Sequence, residues 1–312
     1  MSNLEALLLG IVQGISEFLP ISSSGHLVLV RYHLGWGASL PLYVGIATNT
    51  GTLIAVLIAL WQDVLHAFQG LGYGLSKLYQ RQQQITLDSQ RLDAQVPSVQ
   101  VDMSSATNTD VVGGDNINQS DTDGKPSKQE SWRLVLLVLL GSLPTALIGL
   151  GLEPFFERLG TPVLTSLALI LTGVVVWFVP KTGTKTHVAD ISWWDALLVG
   201  TVQGLAVMPG ISRAGVTIAY LLWRGVDSTL AARVSFLMYL VVSFGVTLLG
   251  LRELAEVDLA LTPLIIMLVT SLATGYVALQ VLLRLLRRGQ LHRFSPYLWG
   301  IAALTLLRFV LS

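Results

Sequence analysis

Residues 17–26 read EFLPISSSGH, which places an acid, a proline, three serines and a histidine in one short run. Glu17 is the only formally charged residue between Ala6 and Val30, in a stretch that is otherwise apolar or small. Ser23 and His26 lie close enough in sequence for an imidazole to reach a hydroxyl, and a serine next to a base is a recognised nucleophile arrangement. Gln13 and Glu17, four apart, share a face of a helix. A carboxylate with an amide carbonyl suits a hard cation such as Mg²⁺ or Ca²⁺, which takes oxygen ligands and substrate phosphates. A second run, PGISRAGVT at 209–217, has Gly210 for close backbone approach, the guanidinium fork of Arg213, and the hydroxyls of Ser212 and Thr217. A fork of that kind matches phosphate oxygens, and a helix start adds N–H donors. The Gly-Lys-Ser/Thr of a nucleotide P-loop is missing. Together the two runs imply a phosphate group presented at a membrane. Blander readings compete. Ser22 and Ser24, taken singly, suit a helix cap. Glu17 and Arg213 could form a purely structural ion pair, and Arg213 could snorkel to a headgroup. His33, His66, His187 and His292 fall in loops or at span ends.

The elements that must carry these residues are membrane helices. The chain has 312 residues, no net charge and 12% charged residues, with a mean hydropathy of +0.65. Apolar, charge-free stretches at 40–62, 134–152, 161–180, 234–251, 262–283 and 294–307 predict six spans. Stretches 6–30 and 196–223 are apolar too, but Pro, Gly and Ser interrupt each of them midway. Such backbone cannot face lipid unsatisfied, so both are read as re-entrant helix-loop-helix hairpins. The fold class is an all-α polytopic membrane protein. The absence of cysteine excludes disulfides and thiolate chemistry. Neutral overall charge gives no sign of a nucleic-acid partner. The start, MSNLEALLLG, lacks a basic n-region and is read as no cleaved leader.

The two interrupted stretches are copies. At an offset of 190, Glu5-Ala-Leu-Leu-x-Gly matches Asp195-Ala-Leu-Leu-x-Gly, Val12-Gln13-Gly14 matches Val202-Gln203-Gly204, and Ile21-Ser22 matches Ile211-Ser212. A hairpin followed by three spans must be inverted in its second copy, which predicts an inverted-topology repeat with its site near the midplane. The repeats are 1–65 with 133–180, and 193–312. Between them, 66–132 is polar and turn-rich and is expected to be a disordered, dispensable cytoplasmic loop. One side of this arrangement carries Lys181, Lys185, Arg224, Arg233, Arg284, Arg287, Arg288 and Arg293, and the other Arg31, Arg158, Arg252 and Arg308. The positive-inside rule then places both termini outside, with the first hairpin entering from the outer face.

QGISEFLPISSSGH and PGISRAGVT resemble the two signatures of the undecaprenyl-diphosphate phosphatases, also called bacitracin-resistance proteins. The first, (E/Q)-x-x-x-E then P-x-S-S-(S/T)-G-H, is matched by Gln13, Glu17, Pro20, Ser22, Ser23, Ser24, Gly25 and His26. The second, P-G-x-S-R-S-x-x-T, is matched by Pro209, Gly210, Ser212, Arg213 and Thr217. The likeness includes Ser235-Phe236-Leu237 and is expected to leave out 66–132. Ala214 stands where the family usually has a serine, Val241 where it has a proline, and Trp299-Gly300 where Tyr-Arg is common. The resemblance implies a multi-pass hydrolase of the bacterial inner membrane. Such an enzyme converts a polyprenyl diphosphate to the monophosphate, recycling the carrier lipid for peptidoglycan and conferring bacitracin resistance. On this resemblance Glu17 with Gln13 holds Mg²⁺ or Ca²⁺, and Arg213 clamps phosphate. Ser22, Ser24, Gly210, Ser212 and Thr217 bind substrate. Attack by Ser23, by His26 or by a metal-activated water remains open, and a homo-oligomer is allowed. The alternative class is a lipid-phosphate transporter or flippase, since inverted repeats of broken helices also build carriers. A carrier would need the anion site but no nucleophile.

Overall fold

The computed structural model describes residues 1–36, 42–94, 126–254 and 260–311, and these are helical almost throughout. The order is α1 (Asn3–Phe18), α2 (Ser23–Leu34), α3 (Leu42–Ala59), α4 (Trp61–Ala94), α5 (Lys128–Arg158) and α6 (Pro162–Trp177). It continues with α7 (Trp193–Leu205), α8 (Arg213–Trp223), α9 (Ser228–Leu254), α10 (Leu261–Arg287) and α11 (Ser295–Leu311). Two compact units are present: Met1–Val64 with Leu136–Ser312, and Leu65–Val135. All the candidate site residues lie in the first.

This is a multi-pass membrane protein. Lys128–Leu152, Ser228–Gly250, Leu261–Arg287 and Leu291–Leu311 are each long and apolar enough to cross a bilayer; α3 and α4, sharply bent at the break between them, add a fifth only if that pair counts as one span. Four of the six expected spans fall on these helices, while 40–62 lies across α3 and the start of α4 and 161–180 on α6. The shortest is α6, whose 16 residues extend about 24 Å at 1.5 Å per residue, less than the roughly 30 Å hydrocarbon core.

The segment 66–132 departs from expectation. It is helical up to Ala94, and helical again from Lys128. Its polarity signalled a loop, but Gln, Arg, Leu and Lys are all good helix formers. Small residues also give it a packing surface. A Cβ added to Gly74 would meet the Trp132 ring at 2.2 Å, and one on Gly70 would meet Ser131. Only the part of the expected loop at 95–125 lies outside the described residues.

The two interruptions are where the sequence placed them. Helix α1 stops because Leu19 precedes Pro20 and is driven to extended backbone, ψ 147°. Helix α2 restarts under a Ser22 cap, its side chain accepting from the Gly25 N–H. In the second copy Gly210 turns the chain with φ +98°, and Ser212 caps α8 in the same way. Both first halves open with matching capping boxes, Ser2 with Glu5 and Ser192 with Asp195.

Glycine rows seat these half-helices. A Cβ on Gly10 or Gly14 of α1 would collide with Thr270 or Thr274 of α10. On the repeat-equivalent Gly200 and Gly204 of α7 it would collide with Gly141 and Ile148 of α5. In lipid no hydrophobic force separates helix from lipid tail, so such close backbone approach is what drives association. Gly14 immediately precedes the face that carries Glu17. In Gly14→Val the added Cβ would lie 2.7 Å from the Ser271 carbonyl and 2.8 Å from the Gly275 nitrogen. That variant should lose about 1–3 kcal/mol of stability, read as a lower melting temperature in detergent.

Candidate active site

The site is made where the two breaks touch. A Cβ on Gly25 would fall 2.9 Å from the Gly210 Cα, so only a glycine permits this contact. Across it the Gly210 N–H donates to Ser22 Oγ at 3.1 Å. Among the described residues Ser22 is the one non-glycine with positive φ, 69°, a conformation that costs about 1–3 kcal/mol. It persists because its polar groups are tied on every side. Its hydroxyl oxygen accepts from Gly25 and Gly210, and its carbonyl accepts from the His26 backbone N–H at 3.0 Å and ring Nδ1 at 2.8 Å.

This turn delivers Ser23 to Glu17. Ser23 Oγ donates to Glu17 Oε2 at 2.5 Å. The other carboxylate oxygen takes Arg213 Nη2 at 2.5 Å, from the opposite break. Gln13 Nε2 donates to Glu17 Oε2 at 2.9 Å and to Asn49 Oδ1 at 2.8 Å. The guanidinium lies 3.8 Å over the Tyr239 ring, a desolvated cation–π contact that fixes its plane. Tyr239 in turn bonds Thr52 at 2.9 Å. Arg213 Nη1 is buried with no hydrogen-bond partner among the described residues, a donor ready for an anion. These groups face a cavity of about 310 Å³ that Ser22, Ser24, Ser212 and Gln203 also line.

The structure thus brings the expected residues Gln13, Glu17, Ser22, Ser23, Ser24, Ser212 and Arg213 around one cavity. Three expected residues are placed differently. His26 is not among the cavity-lining residues. Its Nδ1 faces the Ser22 carbonyl and its Nε2 the Tyr297 hydroxyl, so the group beside Ser23 is Glu17 and not the imidazole. Thr217 is fully buried, and its hydroxyl bonds the Arg213 carbonyl and Ser235 Oγ at 2.6 Å. It braces α8 against α9 instead of facing a substrate. Gly210 is also buried, its N–H held by Ser22 and its carbonyl by Thr172. Asn49, Tyr239 and Tyr297 were not anticipated. Each is an uncharged polar residue inside an apolar span, a weak signal that only the contacts resolve.

As a cation site the donor set fits. One carboxylate, the Asn49 amide oxygen and the end of Gln13 not donating to Glu17 and Asn49 are hard oxygen groups around one cavity. Among the described residues no cluster of three or more His, Cys, Asp or Glu exists. An ion here would complete its shell with substrate oxygens, as Mg²⁺ commonly does.

The family model for bacitracin resistance protein BacA matches residues 6–103 and 106–304, through both breaks and every span. The chain belongs to this family. A protein of Acaryochloris marina named undecaprenyl-diphosphatase is 48% identical over the full length of both chains. Two others of that name, from Desulfatibacillum aliphaticivorans and Methanosphaera stadtmanae, are 34% and 31% identical over 98% and 97% of each chain. The BacA match also runs through most of 66–132, which the motif resemblance had left out.

Arg213→Lys should lose at least about 10-fold in turnover, because a point charge reproduces neither the fork nor the stacking on Tyr239. Phosphate release by the purified, folded variant checks this, and near-normal turnover would remove the clamp.

Proposed function

We propose that this BacA-family chain is an undecaprenyl-diphosphatase, releasing phosphate from the diphosphate and leaving the polyprenyl monophosphate. The observation that carries the reading is Ser23 Oγ held 2.5 Å from Glu17 Oε2, with Arg213 waiting at the same carboxylate. The full-length likeness to proteins of that name supports it. On this reading Ser23 Oγ attacks the terminal phosphorus as its proton passes to Glu17. The bond to the bridging oxygen breaks, and polyprenyl monophosphate leaves with the electron pair. Water then cleaves the phosphoserine. Arg213 holds the non-bridging oxygens with its free Nη1, and the Ser22–Gly210 contact keeps the two breaks in register.

Glu17, with the amide oxygens of Gln13 and Asn49, would hold the Mg²⁺ or Ca²⁺. Such an ion neutralises phosphate charge and polarises the bond under attack. The finer topology belongs to the same proposal. The 190-residue offset, the paired capping boxes and the equivalent glycine rows support an inverted repeat with two re-entrant hairpins. The basic residues support an inner-membrane orientation with the site opening to the outer face. Bacitracin resistance would follow from carrier-lipid recycling. Nothing in the comparisons favours transport instead.

Ser23→Ala should lose at least about 100-fold in turnover of undecaprenyl diphosphate in detergent. Rapid quenching with label on the terminal phosphate should trap phosphoserine at position 23. Label on His26 would reassign the nucleophile, and no phosphate release by wild type would end the reading. Glu17→Gln should lower turnover at every Mg²⁺ or Ca²⁺ concentration, through loss of the proton acceptor, and also raise the amount of ion needed. Full activity of wild type after chelation would remove the ion from the scheme.

A further inference from the structure

His26 sits in the first break, yet its ring does not line the cavity, and both nitrogens already have partners. A carbonyl oxygen can only accept, so the 2.8 Å contact of Nδ1 with the Ser22 carbonyl makes Nδ1 the protonated nitrogen. In the neutral ring Nε2 is then an acceptor. The group facing it is the Tyr297 hydroxyl of α11, at 2.7 Å. The two rings lie nearly parallel, 10° apart, with centroids at 5.6 Å. Tyr297 is therefore the outer end of a chain of contacts that runs to the imidazole, to the Ser22 carbonyl and, through Ser22 Oγ, to Gly210 of the other break.

The chain passes through Ser22, the one non-glycine among the described residues with positive φ. A residue in that conformation stays there only when its surroundings over-determine it. Ser22 precedes Ser23, so its φ and ψ set where the Ser23 hydroxyl points. If the imidazole turned, the Ser22 carbonyl would lose one of its two donors, and the Ser23 hydroxyl would lose its fixed aim at Glu17. Helix α11 needs no tyrosine for packing at this position. Tyr297 is 46% exposed, whereas Leu298 and Ala302 of the same helix are fully buried.

We propose that Tyr297 is a positioning residue. Its hydroxyl clamps His26 Nε2, and the clamped imidazole holds the Ser22 turn that aims Ser23 at Glu17. This rests on the reading of Ser23 and Glu17 given above. It assigns His26 a supporting place and not that of the base for Ser23. Tyr297 is not among the residues that line the cavity.

The test uses the full chain in detergent. In Tyr297→Phe, kcat for undecaprenyl diphosphate should fall about 5- to 10-fold with KM little changed, the size expected for loss of one hydrogen bond that acts on geometry. In a His26→Ala background the same substitution should have no further effect, because its route of action is gone. Nitrogen-15 spectra of histidine-labelled protein give a readout that needs no activity. The His26 signals, assigned by their loss in His26→Ala, should show a protonated Nδ1, and Tyr297→Phe should shift Nε2 alone. An unmoved Nε2 signal, or additive losses in the double variant, would overturn the clamp. A wild type that releases no phosphate but shows the Nε2 shift would sink the proposed reaction and leave the clamp standing.

Discussion

The ion pair between Glu17 and Arg213 is the constraint around which the rest is arranged. Each is the only formal charge in its own broken segment, and at membrane depth an unpaired charge costs a few kcal/mol even on lenient scales. Breaking a buried pair by removing one partner typically costs about 3–5 kcal/mol, because the other is left stranded. The pair forms only if the two breaks abut, so it ties residues that are 196 apart in sequence. It is nonetheless a poor device for stability alone, since apolar residues of like volume often do as well. Two details point to a use beyond stability: a hydroxyl donating into the same carboxylate, and a guanidinium nitrogen with no hydrogen-bond partner among the described residues.

Bringing the breaks together places demands on everything around them. Irregular backbone among apolar membrane helices must find its hydrogen bonds inside the protein. It does so here through serine and threonine side chains: Ser22 for Gly210, Ser212 for Gly215, and Thr172 for both Gly210 and Ser212. The half-helices carrying the breaks are too short to anchor themselves. Glycine rows on α1 and α7 let them sink against α10 and α5. The two glycine rows lie 190 residues apart, the same offset as the motifs.

Much of this was legible in the sequence because charge, proline and glycine are costly in lipid and stand out there. The helices under the expected spans, the two breaks and the cavity-lining Glu17 and Arg213 follow from that economy, and Ser23 from the hydroxyl cluster beside the first break. What stayed hidden obeys a different logic. His26 sits three residues from Ser23, and spacing made it the natural base; the helix turn at Ser23–His26 instead carries the ring toward α11. Thr217 matched a motif position, but a hydroxyl inside a helix can satisfy itself on the preceding turn, and this one does. Tyr239 and Asn49 are uncharged, so no hydropathy argument marks them. The helix through 66–94 was missed because polarity was taken for disorder where propensity favoured helix.

The charge balance of the cavity adds a last step. Among its lining residues Glu17 and Arg213 are the charged ones, and they cancel. A diphosphate brings several negative charges into this cavity, and at short range the Coulomb terms between them are large. Arg213 can offset only part of that, and only by loosening its hold on Glu17, which would leave the carboxylate beside a second anion. Tyr239, Asn49 and the serines contribute dipoles but no net charge. A divalent cation held by Glu17 would resolve the conflict, offsetting the ligand's charge and giving the carboxylate a partner in place of Arg213. The protein alone is balanced for the resting site and not for the loaded one, which is the physical reason to expect substrate and metal to bind together.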